Sequence, residues 1–339
     1  MLIRSLSALT LVCAGFGFVP IAWGQASSPA AAPSEMRAWL MRIHAAAGQK
    51  NFQGTFVVSG GGSVSSARIA HFCEAGSQFE RIESLDGQAR QVFRHNDVVH
   101  TVWPGSRLAM VEQRDQVMQF PALLQAGDDR IVDFYEVQQR GVDRVAGHEA
   151  NVLTVRPRDN LRFGYRLWAE KVSGLLLRAD VLNERNEVLE TSAFSEVAIG
   201  VRATPESVLQ PMRRLDGFRV VRPTLAPTRL EAEGWAMRQG VPGFRQVSCV
   251  KRPMDTNLPG ESDGGSAQPV VQAIYSDGLT YVSVFIEPFN PQRHTRAIRG
   301  PVGATQTLMR RQGDWWVTVI GDVPSATLAQ FADALERRK

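Results

Sequence analysis

Six histidines, His44, His71, His95, His100, His148 and His294, are the residues best suited to metal or acid–base chemistry, and they are scattered. No two share the i, i+4 spacing of a helical zinc pair. His71 and His100 fall in alternating strand patterns, where a neutral, hydrogen-bonded histidine is the expected role. No serine occupies a strand-to-helix nucleophile elbow. Gly60-Gly61-Gly62 lacks the lysine and helix that complete a phosphate-binding loop. Asp86, Asp97, Asp128 and Asp129 stand in turn-like contexts that account for them without catalysis. The residues point away from an enzyme, and neither a metal nor a cofactor is expected.

The chain has 339 residues, enough for two domains, with 44% hydrophobic and 21% charged residues, the balance of a globular protein. Its formal net charge is +4, carried by charges of both signs that are interspersed along the chain. Arg213-Arg214 and Arg310-Arg311 could meet an acidic peptide or lipid phosphates, although solvated surface is their default role. Nucleic acid is not an expected partner, because no basic and aromatic groove motif is present. Arg4 followed by an apolar run from Leu6 to Ala22 and the small residues around Ala22-Trp23-Gly24 reads as a cleavable export signal over residues 1–24. Val12 ahead of Cys13 does not fit lipoprotein processing. The implied compartment is a bacterial periplasm, where disulfides persist. Cys73 and Cys249 lie far apart, and isolated cysteines of this kind are more often buried thiols than a bridge.

Chemistry being absent, the positioning elements carry the information. In Phe163–Leu177, Phe163, Tyr165, Leu167 and Ala169 alternate with Gly164, Arg166, Trp168 and Glu170. After a Ser173-Gly174 turn the alternation resumes, which predicts a long antiparallel hairpin. A helix capped by Ser34 is predicted ahead of it, with Trp39, Leu40, Ile43, Ala46 and Ala47 in one stripe and Gly48 as its stop. Short strands follow over 54–59, 67–73, 78–84, 90–95, 98–103, 107–112 and 133–138, with a helical segment at Pro121–Gln125, then strands at 151–156 and 188–195. Such close-spaced strands predict a curved antiparallel sheet or open barrel over residues 25–200. Prolines punctuate residues 201–225, read as a linker. A smaller unit over 226–339 contains strands at 244–251, 270–276, 281–287, 306–310 and 315–320. It also has a Gly/Ser-rich loop, Leu258 to Gln268, and a last helix capped by Ser325.

What remains is binding. A curled sheet either fills its own core or leaves a lipid-sized cavity. Alternation makes Phe56, Val58, Phe163, Tyr165, Leu167, Leu175 and Leu177 the candidates for lining one. In the smaller unit Tyr275, Tyr281, Phe285 and Trp315 are candidates for gripping a peptide, aromatic groups being enriched at binding hot spots.

The segments Asn51–Ser59, Arg68–His71, Glu80–Gly87, Pro157–Asp159 and Phe163–Leu177 resemble the RseB/MucB family in the same order. So do Tyr275–Leu279, Ser283–Glu287, Gly303–Thr305 and Val317–Pro324. Gly60–Ser66, the 258–268 loop and the two later cysteines fall outside the matched pattern. The resemblance implies a mainly β protein with flanking helices. Its N-terminal unit would be an unclosed antiparallel β-barrel like the lipoprotein carriers LolA and LolB, and its C-terminal unit a smaller α+β domain. It implies a periplasmic regulator that binds the periplasmic segment of a single-span anti-sigma factor and shields it from proteolysis. Lipid A, lipopolysaccharide or lipoprotein acyl chains would compete it away, and a homodimer is compatible with the resemblance. The runner-up reading is a lipid or lipoprotein carrier, which would need only the first unit. The third is a periplasmic hydrolase, which a Ser–His or metal geometry in the structure would revive.

Overall fold

The computed structural model describes residues 33–113, 131–253, 269–294 and 299–338. The leader, the helical segment expected at Pro121–Gln125 and the 258–268 loop lie outside these residues. Helix α1 (Pro33–Gln49) comes first, with Leu40, Ile43, Ala46 and Ala47 buried along the predicted stripe. Six strands follow: β1 (Phe52–Gly60), β2 (Ser63–Glu74), β3 (Ser77–Ser84), β4 (Gln91–His95), β5 (Val98–Trp103) and β6 (Leu108–Gln113). A one-turn helix α2 (Ile131–Phe134) leads into β7 (Tyr135–Val145), β8 (His148–Pro157), β9 (Gly164–Glu170), β10 (Leu176–Leu182) and β11 (Val188–Ile199). Asp133 and Phe134, expected in a strand, belong to α2.

These strands and β12 (Arg219–Val221) form one 12-stranded sheet in the order β12-β6-β5-β4-β3-β2-β1-β11-β10-β9-β8-β7. Its end strands β12 and β7 are not paired with each other, so the barrel is unclosed. Every pairing is antiparallel except β12 with β6, which is parallel. Residues 201–225 therefore do more than link: helix α3 (Glu206–Arg213) and β12 both fall in this stretch. Val208 of α3 is buried against Phe72, Phe79, Phe93, Val102 and Ala109 of the sheet. Proline spacing suggested a linker because β12 is only three residues long and α3 contains Pro211, so neither leaves a periodic signal.

The second sheet has seven strands. Strand β13 (Ala226–Pro227) pairs at its edge with β15 (Arg245–Pro253), and β14 (Trp235–Met237) lies apart from it. The others are β16 (Pro269–Ser276), β17 (Tyr281–Pro288), β18 (Arg299–Val302), β19 (Thr305–Gln312) and β20 (Trp315–Gly321). Helix α4 (Ser325–Ala334) covers one face with Leu328, Phe331 and Ala332. Pro324 rather than Ser325 takes the capping position, its carbonyl accepting from the Thr327 and Leu328 amides. The chain leaves the helix at Leu335 and forms β21 (Leu335–Arg337), which pairs with β14.

The central hairpin forms as predicted, with one modification. Ser173 and Gly174 lie in its turn, and the Glu170 carboxylate accepts from the Val172 and Ser173 amides. A register shift between Leu176 and Arg178 then changes which side chains share a face.

Candidate functional site

That register shift separates the cavity candidates of the hairpin, Leu175 and Leu177 no longer sharing a face with Tyr165 and Leu167. Tyr165 and Leu167 pack with Leu40, Ile43, Tyr135, Leu153, Leu176 and Ala179. Phe56, Leu175 and Leu177 join a second cluster with Phe52, Ile69, Trp168 and Phe194, and Val58 packs at its margin. Phe163 is buried beside the hairpin. Six of the seven are thus divided between two packed clusters, which α1 bridges through Leu40 and Ile43 on one side and Ala46 on the other. Arg42 fastens this helix to the hairpin turn, donating to the Lys171 carbonyl at 2.6 Å and to that of Val172 at 3.0 Å.

A cavity of about 510 Å³ lies elsewhere on the large sheet, between β1, β2, β3, β11 and the entry to α3. Thr55, Arg68, Phe72, Arg81, Glu196 and Ser207 are among its lining residues, and none of the seven candidates is. Strand alternation puts Thr55 and Arg68 on the face away from Phe52, Phe56 and Ile69. Its charged side chains already have partners: Arg81 meets Glu83 at 3.0 Å, Arg68 meets it at 3.5 Å, and Thr55 donates to Glu196 at 2.7 Å.

The four peptide candidates also separate by strand parity. Tyr275 is buried in the core of the second sheet, its ring 5.1 Å from that of Phe331. Burial holds its phenol well above the ordinary range, so it stays protonated. Trp315 is half-buried against Trp235 at 5.6 Å, and the Arg337 guanidinium covers it at 4.8 Å. Tyr281 and Phe285 are half-buried and alternate with the core residues Val282, Val284 and Ile286, so they lie on the face turned away from α4. On that face lies His294, which the sequence did not place among the peptide candidates; its ring stacks on Trp316 at 4.8 Å with Phe289 alongside.

The larger omission is the seam between the two sheets. Arg162, between β8 and β9, has a side chain with 0% exposure. Its Nε donates to Asp277 at 2.7 Å, one terminal nitrogen pairs with Asp159, and the other donates to the Pro242 carbonyl at 2.7 Å. The rings of Phe134 and Phe244, one from each unit, lie 4.5 and 4.9 Å from the guanidinium carbon. Asp277, also 0% exposed, further accepts from the Tyr135 hydroxyl at 2.8 Å. Its other oxygen accepts from the Leu279 and Thr280 amides of its own turn, each at 2.9 Å. Burial, then the Asp277 charge, pushes the Tyr135 phenol well above its ordinary range and keeps it a donor.

Around this ion pair each unit buries one leucine in the other. Leu279 belongs to the cluster of Leu40, Ile43, Tyr165 and Leu167 in the large sheet. Leu161 belongs to the core of Tyr275, Val284, Leu328 and Phe331, and its carbonyl accepts from Thr327 at 2.9 Å. A second contact lies at the β1–β2 turn, where Gly61 and Gly62 have φ of 58° and 79°, the left-handed pair of a two-residue hairpin. A Cβ on Gly61 would stand 2.6 Å from the Gly303 nitrogen, so the close approach requires glycine. Glu190 accepts from the neighbouring Ala304 amide at 3.3 Å.

Other chemistry is sparse. Among the described residues no group of three His, Cys, Asp or Glu is placed to hold a metal ion. Cys73 and Cys249 are unbridged, with Cys73 Sγ 2.9 Å from the Gly48 carbonyl and 3.4 Å from His71 Nε2. Burial raises the Cys73 thiol and lowers His71, the reverse of an activated pair. Among the described residues no helix is long and apolar enough to cross a membrane.

Comparison with known proteins fits this two-unit arrangement. The chain is 32% identical over 311 residues to the sigma factor AlgU regulatory protein MucB of Pseudomonas aeruginosa, covering 90% of this chain and 92% of that protein. It is 25% identical over 314 residues to the sigma-E factor regulatory protein RseB of Escherichia coli, covering 91% and 93%. The crystal structure of MucB in complex with MucA(peri) superposes with a TM-score of 0.64 at 28% identity, covering 89% of this chain and 99% of that one. The profile of the MucB/RseB N-terminal domain matches residues 35–212 and that of the C-terminal domain residues 229–336, and on both halves the chain belongs to the MucB/RseB family.

Proposed function

We propose that this protein is a periplasmic regulator that binds the periplasmic segment of a membrane-spanning anti-sigma factor and shields it from regulated proteolysis. Acyl chains of lipopolysaccharide or mislocalised lipoprotein release it. The observation that carries this reading is the match, in sequence and fold over 89% of this chain, to a MucB whose structure is a complex with MucA(peri). The seam supports it physically. Two separate sheets held by a desolvated ion pair and exchanged leucines present one continuous body to a long extended segment, which a single-sheet carrier would not. Release requires a ligand that binds the free form more tightly than the partner-bound form, since equal affinity shifts no equilibrium.

The test uses the full mature chain and the periplasmic segment of the anti-sigma factor encoded by the same genome. Binding is read by calorimetry, and cleavage of the segment by the site-1 protease is followed with and without the chain. Expected are a saturable complex, slowed cleavage, and loss of both on adding lipopolysaccharide. A segment that is cut equally fast in the presence of saturating protein ends the proposal.

A further inference from the structure

By strand parity Trp316 belongs to the outer face of the second sheet, opposite Glu287 of β17 and Arg311 of β19, yet it is 5% exposed. The turn that follows β17 covers it. Phe289 and His294 both reach back over the indole, the His294 ring within 5° of parallel to it. The Arg311 guanidinium lies over Phe289 at 4.1 Å, and the Phe289 amide donates to the Asp314 carbonyl at 2.8 Å. Asn290 closes the turn on itself. Its carbonyl accepts from the His294 amide at 2.7 Å, and its own amide donates to His294 Nδ1 at 2.9 Å.

That last bond fixes the state of the ring. A ring nitrogen that accepts from an amide carries no proton, so the hydrogen sits on Nε2, which faces Glu287 Oε2 at 3.5 Å. A proton on Nδ1 sets two donors against each other and removes the acceptor that holds the Asn290 amide. Of the charges around the ring, Glu287 favours its protonated form. Arg293, which also meets Glu287 at 3.5 Å, and Arg311 oppose it. Burial, then Arg293, keeps the ring below the ordinary histidine range.

We infer that residues 289–294 form a proton-operated strap, and that protonation of His294 frees it from Asn290 and uncovers Trp316. The indole then joins Phe285, its diagonal neighbour across β17 and β20, and the outer face offers a larger aromatic surface in acid than at neutral pH. With the strap open, His294 titrates as an ordinary histidine near pH ~6.5, and with it closed, lower. The strap is therefore held above pH ~6.5, and its opening constant rises as pH falls below that, by up to about tenfold per unit, the slope of one proton. This goes beyond the regulatory reading and does not rest on it.

The experiment follows the full mature chain by nuclear magnetic resonance from pH 7.5 to 5, with His294 and the Trp316 indole assigned through His294→Asn and Trp316→Phe. Long-range nitrogen–proton spectra read the tautomer, amide exchange reads protection of Asn290, and a soluble nitroxide reads exposure of the Trp316 indole. Expected at pH 7.5 is a neutral ring with its proton on Nε2. On acidification, Asn290 protection should fall about tenfold and the indole signal should broaden, both through the midpoint at which His294 titrates. His294→Asn keeps an acceptor where Nδ1 stands but cannot take a proton, so its strap should stay closed and insensitive to pH over this range. Should that variant fail to seat the strap, Glu287→Gln serves instead: loss of the carboxylate that favours the charged ring should move the midpoint to lower pH. A proton on Nδ1 at pH 7.5 overturns the inference. So does titration of His294 with Asn290 protection and indole exposure unchanged, or a midpoint that Glu287→Gln leaves in place or raises.

Discussion

Arg162 Nε and Asp277 Oδ2 meet at 2.7 Å across the seam, and both side chains are wholly removed from water. Two charges so placed are tolerated because nearly every valence is used: Asp159, Pro242 and Tyr135 take the remaining hydrogen bonds. Truncating one partner strands the other. Arg162→Ala or Asp277→Ala should therefore cost about 3–5 kcal/mol. Because the pair joins two separate cores, denaturation of either variant should split into two transitions where the natural chain shows one. A single unaltered transition in urea, followed by tryptophan fluorescence and circular dichroism, would count against a coupling role.

Tyr281 and Phe285 face away from the core of the second sheet, whereas Tyr275 is part of it. Tyr281→Ala and Phe285→Ala should weaken binding of the anti-sigma segment, about tenfold each if they are hot spots, with little change in melting temperature. Tyr275→Ala should lower stability by about 3 kcal/mol or more, as for other large aromatic truncations in cores. Calorimetry paired with thermal melts separates the two behaviours.

Gly61 approaches the Gly303 backbone with a φ of 58°. Gly61→Val adds a β-branched side chain where both the backbone angle and the neighbour refuse it. A loss of about 2 kcal/mol is expected, whereas Gly76→Ala, with open space around its own left-handed position, should cost less. Urea midpoints of the two variants give the comparison.

His71 is 2% exposed and stacked on Phe52 with ring centroids 5.4 Å apart. Burial lowers its pKa, the nearby Glu80 charge opposes, and Arg94 adds to the lowering. A histidine whose folded pKa lies below its unfolded value stabilises the fold above the unfolded pKa, about 6.5, and loses that contribution as pH falls through the folded value. His71→Phe should accordingly flatten the decline in stability on the acid side of pH 6.5. Denaturation at a series of pH values from 7 to 5 reads the slope.

Burial pushes the Cys249 thiol up to about 11. At pH 8 that leaves roughly a hundredfold less thiolate than an ordinary cysteine would carry. Iodoacetamide should modify Cys249 slowly in the native chain and at the ordinary rate in urea, with mass spectrometry locating the label.

Alternation and turn residues by themselves determined the number and order of most strands, the stripe of α1 and the existence of the central hairpin. Those are local properties, because a half-buried strand or helix must write its period into consecutive residues. The ordered segments also carried the family likeness. Elements that draw their stability from neighbours left no such trace: β12, β14 and β21 are three residues each and persist only by pairing across the chain. One extra residue in β10 was enough to send Leu175 and Leu177 into a different cluster from Tyr165 and Leu167, and the two-residue period cannot report such a slip. Arg162 and Asp277 stand 115 positions apart, and neither has a local pattern that marks it as buried. Their charges looked like solvated surface along the chain. Only the docking of the two sheets, which removed both from water and gave each a partner, made them the centre of the molecule.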